Sequence, residues 1–328
     1  MADVARAAGV SKQTVSRVLN GTGHTSAATT ARIERLIHEL DYRRSGVARS
    51  LATNASFTLG LIVPALDNPY YAEIAQGAEW AAWAGGYNLF LSNVFYDAAR
   101  EAAALESLGD RGTDGVIVDT PSLPDAQLSS FLARFKAAVV IGRTVPIEVA
   151  GSIVVDDAAG IRLALRRLYA SGRERVAFLA GPERFGSSRV RREAFTEAET
   201  ARGTFSAAQV LQADSSSEAS YDLIARLARK GLSFDALVCF NDVMAAGALR
   251  ALFDAGIRVP DEVAVVGHDD IPMARWVHPP LSTLRVSKRE LGVSAVQTLL
   301  ERLNAQNAEP TVLAPDLIVR ESSGPLPD

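Results

Sequence analysis

From residue 57 onward the chain alternates short, uninterrupted apolar runs with segments of helical period, and this alternation restricts the fold more than any other feature. The apolar runs cover 59–64, 88–92, 115–118, 138–142, 153–155, 175–180, 236–240 and 263–267. Helical patterns separate most of them, among others at 71–84, 158–170, 189–201 and 243–255. A strand that is apolar on both sides must be covered on both faces, and an intervening helix returns the chain for a parallel pairing. The pattern therefore predicts doubly wound parallel sheets. Two such series, about 57–156 and 157–284, predict two lobes that repeat a topology without repeating a sequence.

The first fifty residues obey another rule. Asp3 to Ala8 reads as a brief helix ended by Gly9, which suits a left-handed C-terminal position. Ser11 has the chemistry to cap a second helix, Lys12 to Asn20, in which Val15, Val18 and Leu19 form a buried stripe. Gly21-Thr22-Gly23 breaks that helix, and a third follows Ser26 with Ile33, Leu36, Ile37 and Leu40 on its core face. Tyr42 to Asn54 is a polar, basic linker with a helical candidate at 47–52. A helix, a glycine-containing turn and a second helix within twenty residues form a helix-turn-helix. Opposite the apolar stripe stand Gln13, Ser16, Arg17 and Asn20, with Lys12 beside them. Gln pairs bidentately with adenine and Arg with guanine, each good pair giving about 1–3 kcal/mol of discrimination. A solvated helix surface would present similar side chains, so this face alone leaves both readings open.

Charge sharpens the contrast. Residues 1–50 hold eight Lys and Arg against four acids, whereas the rest of the chain holds 26 against 34. A small basic module on an acidic body is the footprint of a nucleic-acid binder. The single cysteine, Cys239, excludes an intramolecular disulfide and a cysteine-based metal cluster, and its apolar surroundings predict a buried core residue. No apolar run is long enough to span a membrane, and the first residues lack the apolar core of a secretion signal.

The segment Asp3-Val4-Ala5-Arg6-Ala7-Ala8-Gly9-Val10-Ser11-Lys12-Gln13-Thr14-Val15-Ser16-Arg17-Val18-Leu19-Asn20 resembles the headpiece of the lactose/galactose repressor family. The resemblance continues in order through Arg49-Ser50-Leu51, Leu61-Ile62-Val63-Pro64, Asn68-Pro69, Asp114-Gly115, Val266-Gly267-His268-Asp269-Asp270 and Pro280-Leu281-Ser282-Thr283. It implies an N-terminal all-α helix-turn-helix headpiece (1–44), a hinge helix or linker (45–56), and an α/β core of two doubly wound parallel-sheet lobes (57–328). That core is periplasmic-binding-protein-like, with one lobe at about 57–156 and 286–313 and the other at 157–285 and 314–328. By the same resemblance Lys12, Gln13 and Arg17 reach base edges in the major groove. Thr14, Ser16, Asn20, His24, Ser26 and Thr29 hold phosphates or helix ends, and Leu51 wedges into the minor groove. Two departures stand out. Met1-Ala2 replaces the usual Thr-Ile-Lys, so helix 1 lacks its cap; either it frays or the assigned start lies too far downstream. Arg44-Ser45 replaces Pro-Asn at the hinge, where Ser45 still offers a cap but Gly46 weakens the helix.

In open α/β sheets ligands bind beyond the carboxyl ends of the strands. Polar and aromatic groups gather there: Asp67, Asn68, Tyr70 and Tyr71; Asp119; Glu183, Arg184 and Phe185, with Arg191 opening the next helix; Asn241 and Asp242; Asp269 and Asp270. The resemblance makes Arg191 and Asp269 effector-binding residues, with Tyr70, Tyr71, Asp119, Phe185 and Asn241 as further pocket positions. Relatives often place an aromatic ring after an Asp where this chain has Asp214-Ser215, which favours a small sugar over a flat purine. The expectation is a cytoplasmic, nucleoid-associated homodimeric repressor with double-stranded operator DNA as partner and a sugar as effector. It includes no cofactor, metal, membrane partner or catalytic residue. Co-repressor logic, in which a ligand or partner protein strengthens DNA binding, is the alternative. No G-x-G-x-x-G follows the first core strand and no phosphate-binding G-x-x-x-x-G-K-[ST] occurs, so a nucleotide-using enzyme lacks its machinery. A periplasmic-type sugar carrier would leave residues 1–50 without a purpose.

Overall fold

The computed structural model describes residues 1–20, 23–40, 55–306 and 309–325. The chain separates into two compact units, Met1–Phe57 and Thr58–Asp328. In the first, α1 (Ala2–Ala8), α2 (Lys12–Asn20) and α3 (Ala27–Glu39) close on Val4, Ala5, Ala8, Val15 and Ile33. Val18, Leu19, Leu36 and Ile37 are half-buried around that core. Gly9 ends α1 at φ 63, where a Cβ would be strained, and its N–H reaches the carbonyls of Ala5 and Arg6. Met1 gives α1 no side-chain cap. Ser11 Oγ accepts the Thr14 N–H at 3.1 Å to open α2, and Ser26 Oγ accepts the Thr29 N–H at 3.3 Å to open α3. One expected core residue is displaced: Leu40 is 47% exposed. The α-helix ends at Glu39, so the 3.6-residue period that would carry Leu40 onto the core face stops one residue short of it.

The second unit holds two sheets. One contains β1 (Thr58–Val63), β2 (Asn88–Asn93), β3 (Gly115–Asp119), β4 (Ala137–Ile141), β5 (Gly151–Val155) and β11 (Thr311–Leu313). The other contains β6 (Val176–Ala180), β7 (Val210–Gln212), β8 (Ala236–Cys239), β9 (Ala264–His268), β10 (Ser282–Arg285) and β12 (Asp316–Ile318). Their orders, β11-β5-β4-β3-β1-β2 and β12-β10-β9-β8-β6-β7, repeat one topology. The first sheet is parallel throughout. The second departs from the expected all-parallel lobe, because β12 runs antiparallel to β10. Only Ala314 and Pro315 separate β11 from β12. With no crossover helix to bring it back, the chain enters the second sheet at the end where the other strands finish. The strands β7, β10, β11 and β12 are three or four residues long, too short for apolar runs to mark them in sequence.

Helices α4 (Pro69–Ala84) and α11 (Lys288–Leu303) pack together over one face of the first sheet, while α5 (Ala98–Asp110) and α6 (Asp125–Leu132) cover the other. The α4–α11 contact brings backbone to backbone: a Cβ at Gly77 would strike the Arg289 carbonyl, and one at Gly292 that of Ile74. On the second sheet, α7 (Asp157–Ala170) and α8 (Gly186–Arg202) cover one face, and α9 (Ser217–Ala228) and α10 (Asp242–Asp254) the other. The chain passes between the sheets at 155–157, 285–288 and 313–316. Cys239 is buried within β8. Among the described residues no helix is long and apolar enough to cross a membrane.

Candidate functional site

On α2 the faces separate as the period requires. Val15 is buried, while Lys12, Gln13 and Arg17 are exposed and Thr14 and Ser16 half-buried. No acid stands in the first turn of α2. The stem of Arg17 lies against Gly23, close enough that a Cβ there would sit 3.4 Å from its Cδ. Thr14 Oγ1 is 3.0 Å from Ser11 Oγ, and Thr29 Oγ1 is 2.8 Å from Ser26 Oγ, so both threonines belong to helix starts. His24 is exposed in the segment before α3. Leu51, the 45–54 hinge segment and the side chain of Asn20 lie outside the described residues. The exposed face therefore offers a cation, a carboxamide and a guanidinium side by side, a set that can donate to phosphates and base edges.

The second unit encloses a cavity of about 240 Å³ at the carboxyl ends of both sheets. Tyr70 and Tyr71 reach it from the start of α4, which Asn68 caps by accepting the Tyr70 N–H at 3.0 Å. Phe185, Arg191, Asn241 and Asp269 reach it from beyond β6, β8 and β9. Six of the seven expected positions thus line one cavity, and Asp119 stands behind its wall. Its carboxylate Oδ1 accepts the hydroxyl of Thr120, which does line the cavity, at 2.9 Å; among the described residues Oδ2 has no partner. Burial pushes the Asp119 pKa up to about 7, with the Thr120 hydroxyl opposing. Arg191 is in the second turn of α8, not its first as expected, because the helix starts at Gly186. Ser188 anchors that early start by donating to the Gly181 carbonyl at 2.7 Å. Asp270 turns away from the cavity, its carboxylate 2.6 Å from Arg320 Nη2.

Arg191 is 6% exposed, and its Nε donates to Asp157 Oδ1 at 2.9 Å. Its Nη1 donates to the Phe240 carbonyl, and its guanidinium sits 4.9 Å from the centre of the Phe240 ring. His268 continues the chain, with Nε2 3.4 Å from Asp157 Oδ1 and Nδ1 3.1 Å from Asp269 Oδ1. Burial drives the Asp157 pKa upward, but Arg191 and His268 outweigh it and hold the carboxyl below its usual range. For His268, burial and the Arg191 charge pull downward and the carboxylates of Asp157 and Asp269 more than offset them, leaving it raised. A buried arginine, carboxylate, imidazole and second carboxylate thus hold one another in place at the cavity wall.

An aromatic series runs along the same wall. Tyr70 meets Tyr71 edge-on at 5.1 Å, Tyr71 meets Tyr96 at 6.2 Å, and Tyr96 lies 4.5 Å from Phe185. Tyr96, Asp157 and His268 are the residues that sequence reasoning missed. The strand-end rule would have reached Tyr96 and Asp157 had it been applied after β2 and β5; His268 carried no signal beyond its place in the family motif. Asp214, by contrast, is exposed and 4.0 Å from Arg184, off the cavity wall. Tyr96 and Phe185 line the cavity from other elements. Among the described residues no cluster of His, Cys, Asp or Glu could hold a metal ion.

The model of bacterial regulatory proteins of the lacI family matches residues 1–45, and that of the periplasmic binding protein-like domain matches residues 165–323. Over 334 residues the chain is 35% identical to the HTH-type transcriptional repressor PurR of Haemophilus influenzae strain PittEE, covering 98% of this chain and 97% of the relative. The chain belongs to the lacI family. This lacI-family chain is similar in structure to the Lac repressor dimer bound to operator and the anti-inducer ONPF, with a TM-score of 0.89 at 29% identity over 98% of each chain. It is also similar to the transcriptional regulator CelR in complex with cellobiose, with a TM-score of 0.72 at 31% identity over 97% of this chain and 98% of CelR.

Proposed function

We propose that this chain is a cytoplasmic transcriptional repressor that binds its operator as a homodimer and is released by a sugar or sugar-derived effector. One observation carries the reading: the chain matches, from end to end, a repressor whose structure is a dimer on operator DNA. In this reading residues 1–44 form the DNA-binding headpiece, 45–56 the hinge and 57–328 the sensing and pairing core. Lys12, Gln13 and Arg17 read base edges, Thr14, Ser16, Asn20 and His24 hold phosphates, and Leu51 enters the minor groove. Arg191, Asn241 and Asp269 receive effector hydroxyls, and Tyr70, Tyr71, Tyr96 and Phe185 pack against the apolar face of the sugar ring. Asp119 acts behind that wall through Thr120. A regulator of the same fold binds cellobiose, which supports a sugar. Trp80 and Trp83 on α4, and Phe253 and Trp276 on the other lobe, are between 63% and 84% exposed and offer apolar surface for pairing. The curated relatives are repressors, so the chain is read as a non-enzyme.

Gel retardation on the gene's own upstream duplex and on random duplex, titrated with cellobiose, ribose and other neutral sugars, tests the whole reading. The expected result is tight binding to the upstream duplex alone, relieved by one sugar. Binding strengthened by a ligand would establish co-repressor logic. Equal, salt-sensitive binding to both duplexes that no sugar alters would end the proposal.

A further inference from the structure

Lys288 is the first residue of α11, just after the chain has crossed from the second sheet back to the first. It is 4% exposed, an unusual place for an ammonium group. Its Nζ donates to the backbone carbonyls of Asp269 at 2.6 Å and Asp270 at 2.9 Å, and lies 3.7 Å from Glu73 Oε2. These acceptors come from two lobes. Asp269 and Asp270 follow β9 in the second sheet, whereas Glu73 is on α4, the helix that delivers Tyr70 and Tyr71 to the cavity.

The segment that Lys288 grips is itself strained. Asp269 and Asp270 adopt φ values of 109° and 48°, a left-handed region that residues with a Cβ avoid unless their surroundings enforce it. The enforcing bonds are visible. The Asp269 N–H donates to the Leu284 carbonyl at 2.7 Å, the Asp270 N–H to Thr283 Oγ1 at 3.3 Å, and Arg320 holds the Asp270 carboxylate. All of those partners come from the second lobe's own sheet or from the segment after β12. Lys288 alone of these brings in the first lobe. It also lies between two spaces: Asp269 lines the central cavity, while Glu73, Asp270 and Lys288 line a separate crevice at the crossover.

We propose that Lys288 is a positioning residue that straps the lobes together, fixing the strained Asp269–Asp270 turn through its carbonyls and tying it to α4 through Glu73. The strap sets the aim of the Asp269 carboxylate and couples it to the start of α4, so that a shift of either wall of the cavity is transmitted to the other. Its role in regulation rests on the effector reading above; its mechanical content does not.

The test therefore uses the full chain without an effector. Amide hydrogen exchange is followed at residues 269–271 and 70–75, and the distance between spin labels placed on one exposed residue of each lobe is measured in parallel. Lys288→Met is expected to speed exchange about tenfold or more at both segments, as loss of charged hydrogen bonds does, and to broaden the interlobe distance. Glu73→Gln is expected to broaden the distance while leaving 269–271 protected, and Lys288→Arg to restore part of the coupling. Should Lys288→Met fail to fold, Glu73→Gln still decides the matter, since an unchanged distance distribution overturns the strap. Faster exchange confined to 269–271 in Lys288→Met would also overturn it, reducing Lys288 to a local brace. Operator retardation by the unmodified chain reports separately on the regulatory reading, and its absence would leave the strap result standing.

Discussion

The headpiece and the cleft hold their functional side chains by opposite means. Lys12, Gln13 and Arg17 project into solvent from one helix, and their placement needs only a period of 3.6 residues and five buried residues beneath. Arg191, Asp157, His268 and Asp269 are buried, come from three distant parts of the chain, and hold each other by charge. The first arrangement tolerates the loss of one member, because the helix positions the rest. The second does not, because each charge is what makes its neighbour's burial bearable. The exposed helix face is thus modular, and the cavity wall is a single cooperative unit.

The largest effect should therefore fall in the cleft. Arg191→Ala takes from the buried Asp157 carboxyl its guanidinium partner and leaves the His268 imidazole beside it, and removing one partner of a buried pair costs about 3–5 kcal/mol. Thermal unfolding should show a large drop for the α/β unit, with effector response abolished and the fold of the headpiece unaffected. A drop below about 1 kcal/mol, the range of exposed ion pairs, would mean that the cleft is as modular as the headpiece.

Next comes a dependence on pH. Asp119 has a folded pKa pushed up to about 7, against about 3.9 in an unfolded chain. The folded protein keeps a proton that the unfolded chain has already released, so this stabilisation is complete below about pH 4 and is lost as pH rises towards 7. Urea midpoints should show the native chain losing up to about 1.4 kcal/mol per pH unit in that window relative to Asp119→Asn. Asp242, pushed up to about 8 by burial and by the Asp269 charge, adds a slope of the same sign that runs from about pH 4 to about pH 8. Asp157 has the opposite sign, its lowered pKa giving stability that disappears only as acid protonates it. Parallel slopes in native chain and variant would place the Asp119 carboxylate in contact with water.

The same contrast explains what could be read from the sequence. α2 was legible to the residue, because Val15, Val18 and Leu19 announce one face and thereby assign the other. The eight apolar strands were legible from their unbroken apolar runs, and the rule that places sites after them, joined to the family resemblance, named seven positions of which six line the cavity. Asp157 and His268 were not, because their function lies in distances of 3.4 Å and 3.1 Å between residues far apart in sequence. Lys288 looks in sequence like any charged residue opening a helix. Its burial depends on where Glu73 and the carbonyls of Asp269 and Asp270 meet, and no local pattern records that.

Smaller effects test the modular side. Arg17→Ala should lower operator affinity by about 1–3 kcal/mol, roughly tenfold to a hundredfold, and relax preference at one base pair. Sugar binding and both unfolding transitions should stay as they are. A mutant that lost sugar binding along with operator binding would show that the headpiece and the sensing site do not act independently.

The smallest expected effect compares one cap with another. Ser11 and Asn241 do the same work, each accepting an N–H three residues on, at 3.1 Å and 2.9 Å. Ser11 is exposed, so Ser11→Ala should cost about 1 kcal/mol of headpiece stability and weaken operator binding only as far as the first turn carrying Lys12 and Gln13 frays. Asn241 is 4% exposed and lines the cavity. Asn241→Ala takes the acceptor from the Met244 N–H at a buried helix start, so it should cost more than the exposed cap does and also weaken sugar binding. Circular dichroism melts of the two single variants decide the point. Equal losses would mean that burial gives a cap in the cleft no greater weight than one at the surface.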